Sequence, residues 1–434
     1  MTPPAGSAPV AGVLAGVSRR SIAIAAFSTI VEWYDFTLFL YFATILSRLF
    51  FGDGAASLLA TLGGFAVAYL FRPIGAAVFG HFGDRHGRRP MMLWSMALMS
   101  AAMLLTAVLP TADAIGGAAA WLLIGLRCVM GFSVGGEYTS VVAYLLEAAR
   151  PARRGLVTSL AAAASEVGAL LAAGVSALTV SLLDEAALAN WGWRIPFLIG
   201  AALAGAVWIA RSTMDESPDF RRQQAAGTVP DAPLLHVWGR QRAGVVRAFA
   251  ISALGSITYY VGITYVPAFL ASAGPLREAA ALWIATAAAL SVILVTPAIG
   301  LLSDRLGRRP VLVALAAASA TLPIATFALM ASGSALGVLA GAVLLAAVAG
   351  GVSAVGAAAT AEQFTGEGRV SGLALGATSA TAIFGGATPW LAQMLLDRTG
   401  WPLVPGVMIA VVAVAVIPIL LRIPETAPGR AERT

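Results

Sequence analysis

Along the 434-residue chain, apolar runs of span length alternate with short polar stretches, twelve times in succession. A helix needs about 20 apolar residues to cross the hydrocarbon of a bilayer. The pattern therefore predicts spans at 21–46, 56–79, 91–110, 119–147, 156–181, 194–211, 245–271, 279–302, 311–331, 334–361, 370–396 and 402–422. The longest polar stretch, 212–244, divides them six from six. The predicted organisation is a flexible segment 1–20, a six-helix half 21–211, a linker 212–244, a second half 245–422 and a tail 423–434. The expected fold class is an all-α membrane protein built from two pseudo-symmetric halves.

A repeat supports that division. Residues 80–90 read G-H-F-G-D-R-H-G-R-R-P and residues 300–310 read G-L-L-S-D-R-L-G-R-R-P, identical at seven of eleven positions. Internal copies of this kind mark duplicated units. Each copy is a knot of charge between apolar runs: Asp84, Arg85, Arg88 and Arg89 in one, Asp304, Arg305, Arg308 and Arg309 in the other. Such a knot needs water while its flanks avoid it. A second echo follows the fourth and tenth spans, where Glu147 precedes Arg154 and Glu362 precedes Arg369, each by seven residues.

Composition strengthens the membrane reading. Hydrophobic residues make up 59% and charged residues 11%, with mean hydropathy +0.86, against about 25% charged in soluble domains. A net charge of +6 could point to nucleic acid in a soluble chain, so the placement of the basic residues decides. All 27 are arginine. With both termini assigned to the cytoplasm, 21 fall on that side, Arg48, Arg194, Arg277 and Arg398 fall on the other, and Arg72 and Arg127 lie inside apolar runs. This asymmetry is the positive-inside rule, and no nucleic-acid partner is expected.

The chemistry that the chain excludes narrows its function. The single cysteine, Cys128, allows no internal disulfide, and His81, His86 and His236 sit in polar loops without metal-ligand spacing. Without lysine there is neither a P-loop for ATP phosphates nor a Schiff base. No nucleophile–base pair is apparent, so the expectation is not an enzyme and no cofactor beyond a coupling proton. No cleavable signal is evident before the first span. The expected partners are the bilayer and a small solute, with no obligate protein partner.

Twelve spans as six plus six, with G-x-x-x-D-R-x-G-R-R after the second and eighth, resemble the major facilitator superfamily. Narrower stretches resemble its metabolite:proton symporter branch: Glu32-Trp-Tyr-Asp35-Phe36, Phe71-Arg72-Pro-Ile-Gly75, Arg127-x-x-x-Gly131-Phe-Ser-x-Gly-Gly-Glu137, Trp191-Gly-Trp-Arg-Ile-Pro-Phe197 and Phe384-Gly-Gly-x-x-Pro389. Members of that branch take up citrate and related tricarboxylates, 2-oxoglutarate, shikimate, phthalate-like acids, or proline and betaine. The resemblance implies alternating access in a bacterial inner membrane. It also implies that Asp84 with Arg88, and Asp304 with Arg308, lock neighbouring helix ends when the inner side is closed. Arg85, Glu147 and Arg154 are assigned to the same charged set.

Six ionisable residues lie well within spans, all in the first half: Glu32, Asp35, Arg72, Arg127, Glu137 and Glu166. A charge at mid-bilayer costs about 2.5–3.5 kcal/mol on insertion scales, so such residues usually face a cavity and mark a pathway. Glu32 and Asp35, three apart, share a helix flank, and Arg72 is expected to pair with one of them as a structural or gating contact. Arg127 and Tyr138 stand only about 20° apart around the fourth helix. Arg127 is expected to hold a substrate carboxylate with its planar fork. Glu137 and Glu166, at similar depth, are expected to meet one cavity and, with Glu32 and Asp35, to form the proton-coupling set. Four acids against two arginines leave a negative excess that proton uptake relieves.

The second half carries no interior charge. Its seventh helix offers Tyr259 and Tyr260 as substrate contacts, followed by Gly262 and Pro267, which weaken a helix. Thr381, with Phe384, Gly385 and Gly386, is placed on the opposite wall. Two departures from the branch bear on substrate: Met130 stands where glutamine is common, and the fifth helix reads Ser159-Leu160-Ala-Ala162 where a tryptophan and an amide or acid are usual, its acid appearing at Glu166 instead. The expected function is proton-coupled import of a small organic anion, a di- or tricarboxylate such as citrate. Uptake of a zwitterionic osmolyte (proline or betaine) is the alternative, although no long coiled coil is present; a transport-inactive sensor is another.

Overall fold

The computed structural model describes residues 17–52, 55–266, 269–270 and 278–427. Twelve long helices carry the fold: α1 Arg19–Tyr41, α2 Ala55–His86, α3 Arg88–Val108, α4 Ala118–Ala148, α5 Arg154–Leu182 and α6 Arg194–Ser212. The second half comprises α7 Arg242–Tyr259, α8 Glu278–Leu306, α9 Arg308–Ala331, α10 Ala335–Ala361, α11 Arg369–Thr399 and α12 Val404–Leu420. A short helix, Ala43–Phe51, extends α1 beyond a break at Phe42. The linker adds two more, Pro218–Ala226 and Pro233–Arg240. Every predicted span coincides with one of the twelve.

The repeated charged motifs are not loops. Asp84 and Arg85 continue the last turn of α2, and Gly87 alone separates α2 from α3; Gly307 does the same between α8 and α9. Their φ angles of 111° and 107° lie in the left-handed region that suits glycine. A Cβ on either would also strike a carboxylate, Glu216 Oε2 at 2.4 Å or Glu425 Oε2 at 2.6 Å. Those carboxylates cap the next helix. Glu216 accepts from Arg88 N at 2.9 Å, and Glu425 accepts from Arg308 N at 2.8 Å and Arg309 N at 3.1 Å. A helix N-terminus welcomes an anion because its first N–H groups have no partner in the helix. Thus the residues just after each half fold back and fasten that half's own repeat.

Helix contacts place the interior charges. Gly131 and Gly135 let α4 press on α2, since a Cβ there would come within 2.1 Å of Ala68 O and 2.0 Å of Arg72 O. This is the close packing expected of that glycine run. The Trp191–Phe197 stretch divides: Trp191 is exposed, but Trp193 is fully buried among Phe50 and Phe197 rather than forming part of an interfacial belt. Two seams join the halves, α5 against α8 and α2 against α11. The latter helix is irregular, widening to i→i+5 bonding at Ala374–Thr378 and Ala382–Gly386. A similar turn, closed by Tyr265 N donating to Tyr260 O at 2.9 Å, follows α7 at Tyr260–Thr264. Wide turns of this kind occur often at functional sites. Pro267 and Arg277 lie outside the described residues, as do residues 1–16 and 428–434.

Candidate functional site: a cavity between the two halves

At the arginine-rich face the two repeats make matching bonds across the halves. Asp84 accepts from Val370 N at 3.2 Å and Ser371 N at 2.8 Å, at the start of α11. Asp304 accepts from Gly155 N at 2.8 Å and Leu156 N at 2.9 Å, at the start of α5. Each aspartate is held by its own arginine, Asp84–Arg88 and Asp304–Arg308, both at 2.8 Å. Glu147 pairs with Arg88 at 3.1 Å and, across the seam, with Arg369 at 2.7 Å. Glu362 pairs with Arg308 at 3.1 Å. Arg154, assigned to the charged set, forms no ion pair among the described residues, and the arginine that meets Glu147 across the seam is Arg369. Arg85 reaches only the linker, donating to Asp231 O at 3.5 Å. Asp219 of the linker joins Arg369 at 2.9 Å. Burial pushes the Asp219 carboxyl up, but Arg369 and Arg222 more than offset this and hold it below its ordinary value.

Deeper in the first half, Arg127, Arg211 and four acids are buried, and Arg72 is half-buried. Arg127, expected to face substrate, instead bonds Asp35 at 2.8 Å and lies 5.0 Å from the Phe39 ring centroid, only 4% exposed. Its expected stripe partner Tyr138 does line the cavity, while Arg127, eleven residues or about 16 Å away along α4, does not. Glu137, expected to share a cavity with Glu166, is fully buried against Arg211. Arg211 Nη1 also donates to Met92 O at 2.8 Å, and Nη2 to Ser28 Oγ at 2.5 Å. Sequence reasoning counted Arg211 as cytoplasmic. Its position inside the predicted span 194–211 was the signal that could have placed it in the membrane.

The remaining pair is loose. Arg72 Nη1 stands 3.9 Å from Glu32 Oε1, with its guanidinium carbon 4.2 Å from the Tyr69 ring centroid. Glu32 Oε2 is buried without a hydrogen-bond partner. Glu166 is the one acid left over, and it meets no arginine: Tyr259 Oη, from the other half, donates to Glu166 Oε1 at 2.5 Å. With Arg211 counted, four acids face three arginines, and Glu166 is the acid without an ion pair among the described residues.

A cavity lies between the halves, with an empty volume of about 1200 Å³ including its mouth, and of these charged groups Glu32 and Arg72 reach it. Among the described residues, Arg72 and Glu32 are the only charged ones in its lining. Trp33, Tyr69, Tyr138, Tyr259 and Tyr260 give it aromatic walls, and Thr381 faces it from α11. Tyr69 and Tyr260 bond to one another through their hydroxyls, joining the halves within that wall. Asp35, Arg127, Glu137 and Glu166 do not line it. Of the residues expected to bind substrate, Tyr138, Tyr259, Tyr260 and Thr381 are therefore brought together and Arg127 is not. Arg72 occupies the place expected of Arg127.

Comparison with known proteins agrees with this architecture. The family described as "Sugar (and other) transporter" matches residues 21–228, and "Major Facilitator Superfamily" matches residues 276–434. The chain is 34% identical over 386 residues to the alpha-ketoglutarate permease of Escherichia coli K12, covering 87% of this chain and 88% of that one. It is 33% identical over 389 residues to the citrate-proton symporter of Klebsiella pneumoniae, covering 88% and 87%. It is 30% identical over 410 residues to the proline/betaine transporter of Escherichia coli K12, covering 92% and 82%. The fold matches the proton:xylose symporter XylE bound to 6-bromo-6-deoxy-D-glucose, with a TM-score of 0.78 at 19% identity over 94% of this chain and 96% of that one. These relatives are transporters rather than enzymes, and this multi-pass membrane chain belongs to the major facilitator superfamily, in its branch of metabolite:proton symporters.

Proposed function

We propose that the protein imports a small organic anion together with protons, by alternating access, across a bacterial inner membrane with its arginine-rich face and both termini in the cytoplasm. The observation that carries this reading is the loose Arg72–Glu32 pair in the cavity lining. A protonated Glu32 leaves Arg72 free to fork onto a carboxylate, so proton and anion favour one another's binding. Glu166 supplies a second proton site, because it is the acid without a buried cation and its Tyr259 contact crosses between the halves. Asp35 and Glu137, held by Arg127 and Arg211, serve as structural partners in this scheme. Carboxylates are handled by two of the relatives, the alpha-ketoglutarate permease and the citrate-proton symporter.

The aromatic walls favour one competing reading. A quaternary or secondary ammonium is attracted to aromatic faces, and an ionised Glu32 beside Arg72 would suit a zwitterion, the substrate class of the proline/betaine relative. Purified protein in vesicles with an internal pH dye separates the two. An organic acid that acidifies the lumen on addition, and accumulates when a pH gradient is imposed, is the expected result. Accumulation of proline or betaine with no response to any organic acid overturns it.

A further inference from the structure

The cavity's inventory narrows the solute further, resting on the reading of Arg72 as the anion contact. We infer that this transporter takes a monocarboxylate whose body carries a ring and hydroxyl groups, rather than a di- or tricarboxylate. The first ground is charge. Arg72 is the only cation in the lining, and the other two membrane arginines are committed to Asp35 and Glu137. A second or third carboxylate would enter a largely apolar space with no cation to meet it, and a buried charge without a partner is strongly disfavoured.

The second ground is the hydroxyls. Several lining hydroxyls are already engaged: Thr139 donates to Gly136 O at 3.2 Å, Ser165 to Ala161 O at 3.0 Å, and Thr360 to Gly356 O at 2.7 Å. Ser256 and Thr381 are engaged with each other at 3.0 Å. Tyr138, Ser252, Ser353 and Thr378 line the cavity and have no hydroxyl partner among the described residues. These four free hydroxyls can each donate and accept, which matches neutral hydroxyl groups and does not neutralise an anion.

Placement gives the third ground. Counting back to the helix ends at the arginine-rich face, Arg72 stands about 21 Å from it, whereas Ser353 and Thr378 stand about 12–14 Å from it. A solute gripped by its carboxylate at Arg72 would present its far end to Ser353 and Thr378. Of the aromatic residues in the lining, Tyr138 stands between these levels, about 15 Å from the same face, and Trp33 is level with Arg72; a ring in the body of the solute can stack on Tyr138.

Thermal-shift titration of the full chain in detergent tests this, using shikimate and 4-hydroxybenzoate against benzoate, succinate, 2-oxoglutarate, citrate, proline and betaine. The hydroxylated ring acids should bind tightest and the polycarboxylates at least about tenfold more weakly. Arg72→Gln should weaken the ring acids about 10- to 100-fold, and Ser353→Ala with Thr378→Val about 3- to 10-fold for the hydroxylated acids while sparing benzoate. If the Arg72 variant does not fold, the hydroxyl variants decide alone. Tighter, Arg72-dependent binding of citrate or 2-oxoglutarate would sink this inference while leaving the anion reading intact. Binding of proline or betaine alone, or of nothing in the panel, overturns both.

Discussion

The two halves are alike at their arginine-rich rim and unlike inside. At the rim each aspartate of a repeat receives two backbone N–H groups from the start of a helix in the other half, Asp84 from α11 and Asp304 from α5. Inside, the first half holds three ion pairs and Glu166, while the described residues of the second contribute hydroxyls, aromatic rings and widened helices but no charge to the cavity. Bonds of one kind fasten both seams, so symmetry survives there. Substrate and proton need only one charged wall, and the second half is free to provide shape.

The largest effect expected from breaking this contrast is on stability. Arg211→Met should destabilise the protein by about 3–5 kcal/mol, because Glu137 would be left buried without its cation. Arg211→Met combined with Glu137→Met should recover much of that loss, as read by denaturation midpoints. Equal loss in the single and double variants would mean that the arginine acts mainly by filling space.

Next in size is coupling. Glu166→Gln should leave solute exchange intact but reduce concentrative uptake under a pH gradient to the equilibrium level. Normal accumulation in that variant would return proton carriage to Glu32. At the rim, Asp84→Asn and Asp304→Asn should cost similar amounts, about 1–3 kcal/mol each from lost charge-assisted bonds. Hydrogen exchange at residues 369–371 for the first and 154–156 for the second checks the match. Strongly unequal exchange would show that the seams are not equivalent.

The smallest effect concerns pH. Asp219 is held below its ordinary value, so the stability it adds is present above the unfolded carboxylate range and is lost only as pH falls through its depressed folded value. It stays ionised from about pH 5 to 8. Asp219→Asn should therefore weaken the rim by no more than about 1 kcal/mol and leave the pH profile of uptake unchanged over that window. A profile displaced by that variant would place a pH sensor in the linker rather than in the membrane.

Much of this was legible in the sequence, and the misses have physical causes. Hydropathy and the copied G-x-x-x-D-R-x-G-R-R motif disclose all twelve helices and the division into halves. What a one-dimensional pattern does not carry is which of two arginines at different depths meets an acid closely. Arg72 and Arg127 each have an acid on α1 within reach, and Arg72 rather than Arg127 stands in the cavity lining, with Asp35 binding Arg127 at 2.8 Å while Glu32 stands 3.9 Å from Arg72. Arg211 escapes notice because the last residue of a predicted span looks like solvent to a hydropathy scan. Glu216 and Glu425 were missed because a two-residue echo, Glu-Ser against Glu-Thr, is too short to stand out before the helices they cap are known.

The widened turns of α7 and α11 have a consequence for descent. A turn bonded i→i+5 holds one residue more than an α-turn, so it is how a helix absorbs a single-residue insertion without lengthening by a full step. Two such turns lie in α11 and one follows α7, and residues of all three line the cavity, whereas the first half's turn at Leu188–Gly192 contributes none to that lining. A single-residue insertion is thus accommodated at the cavity wall in one half and away from it in the other.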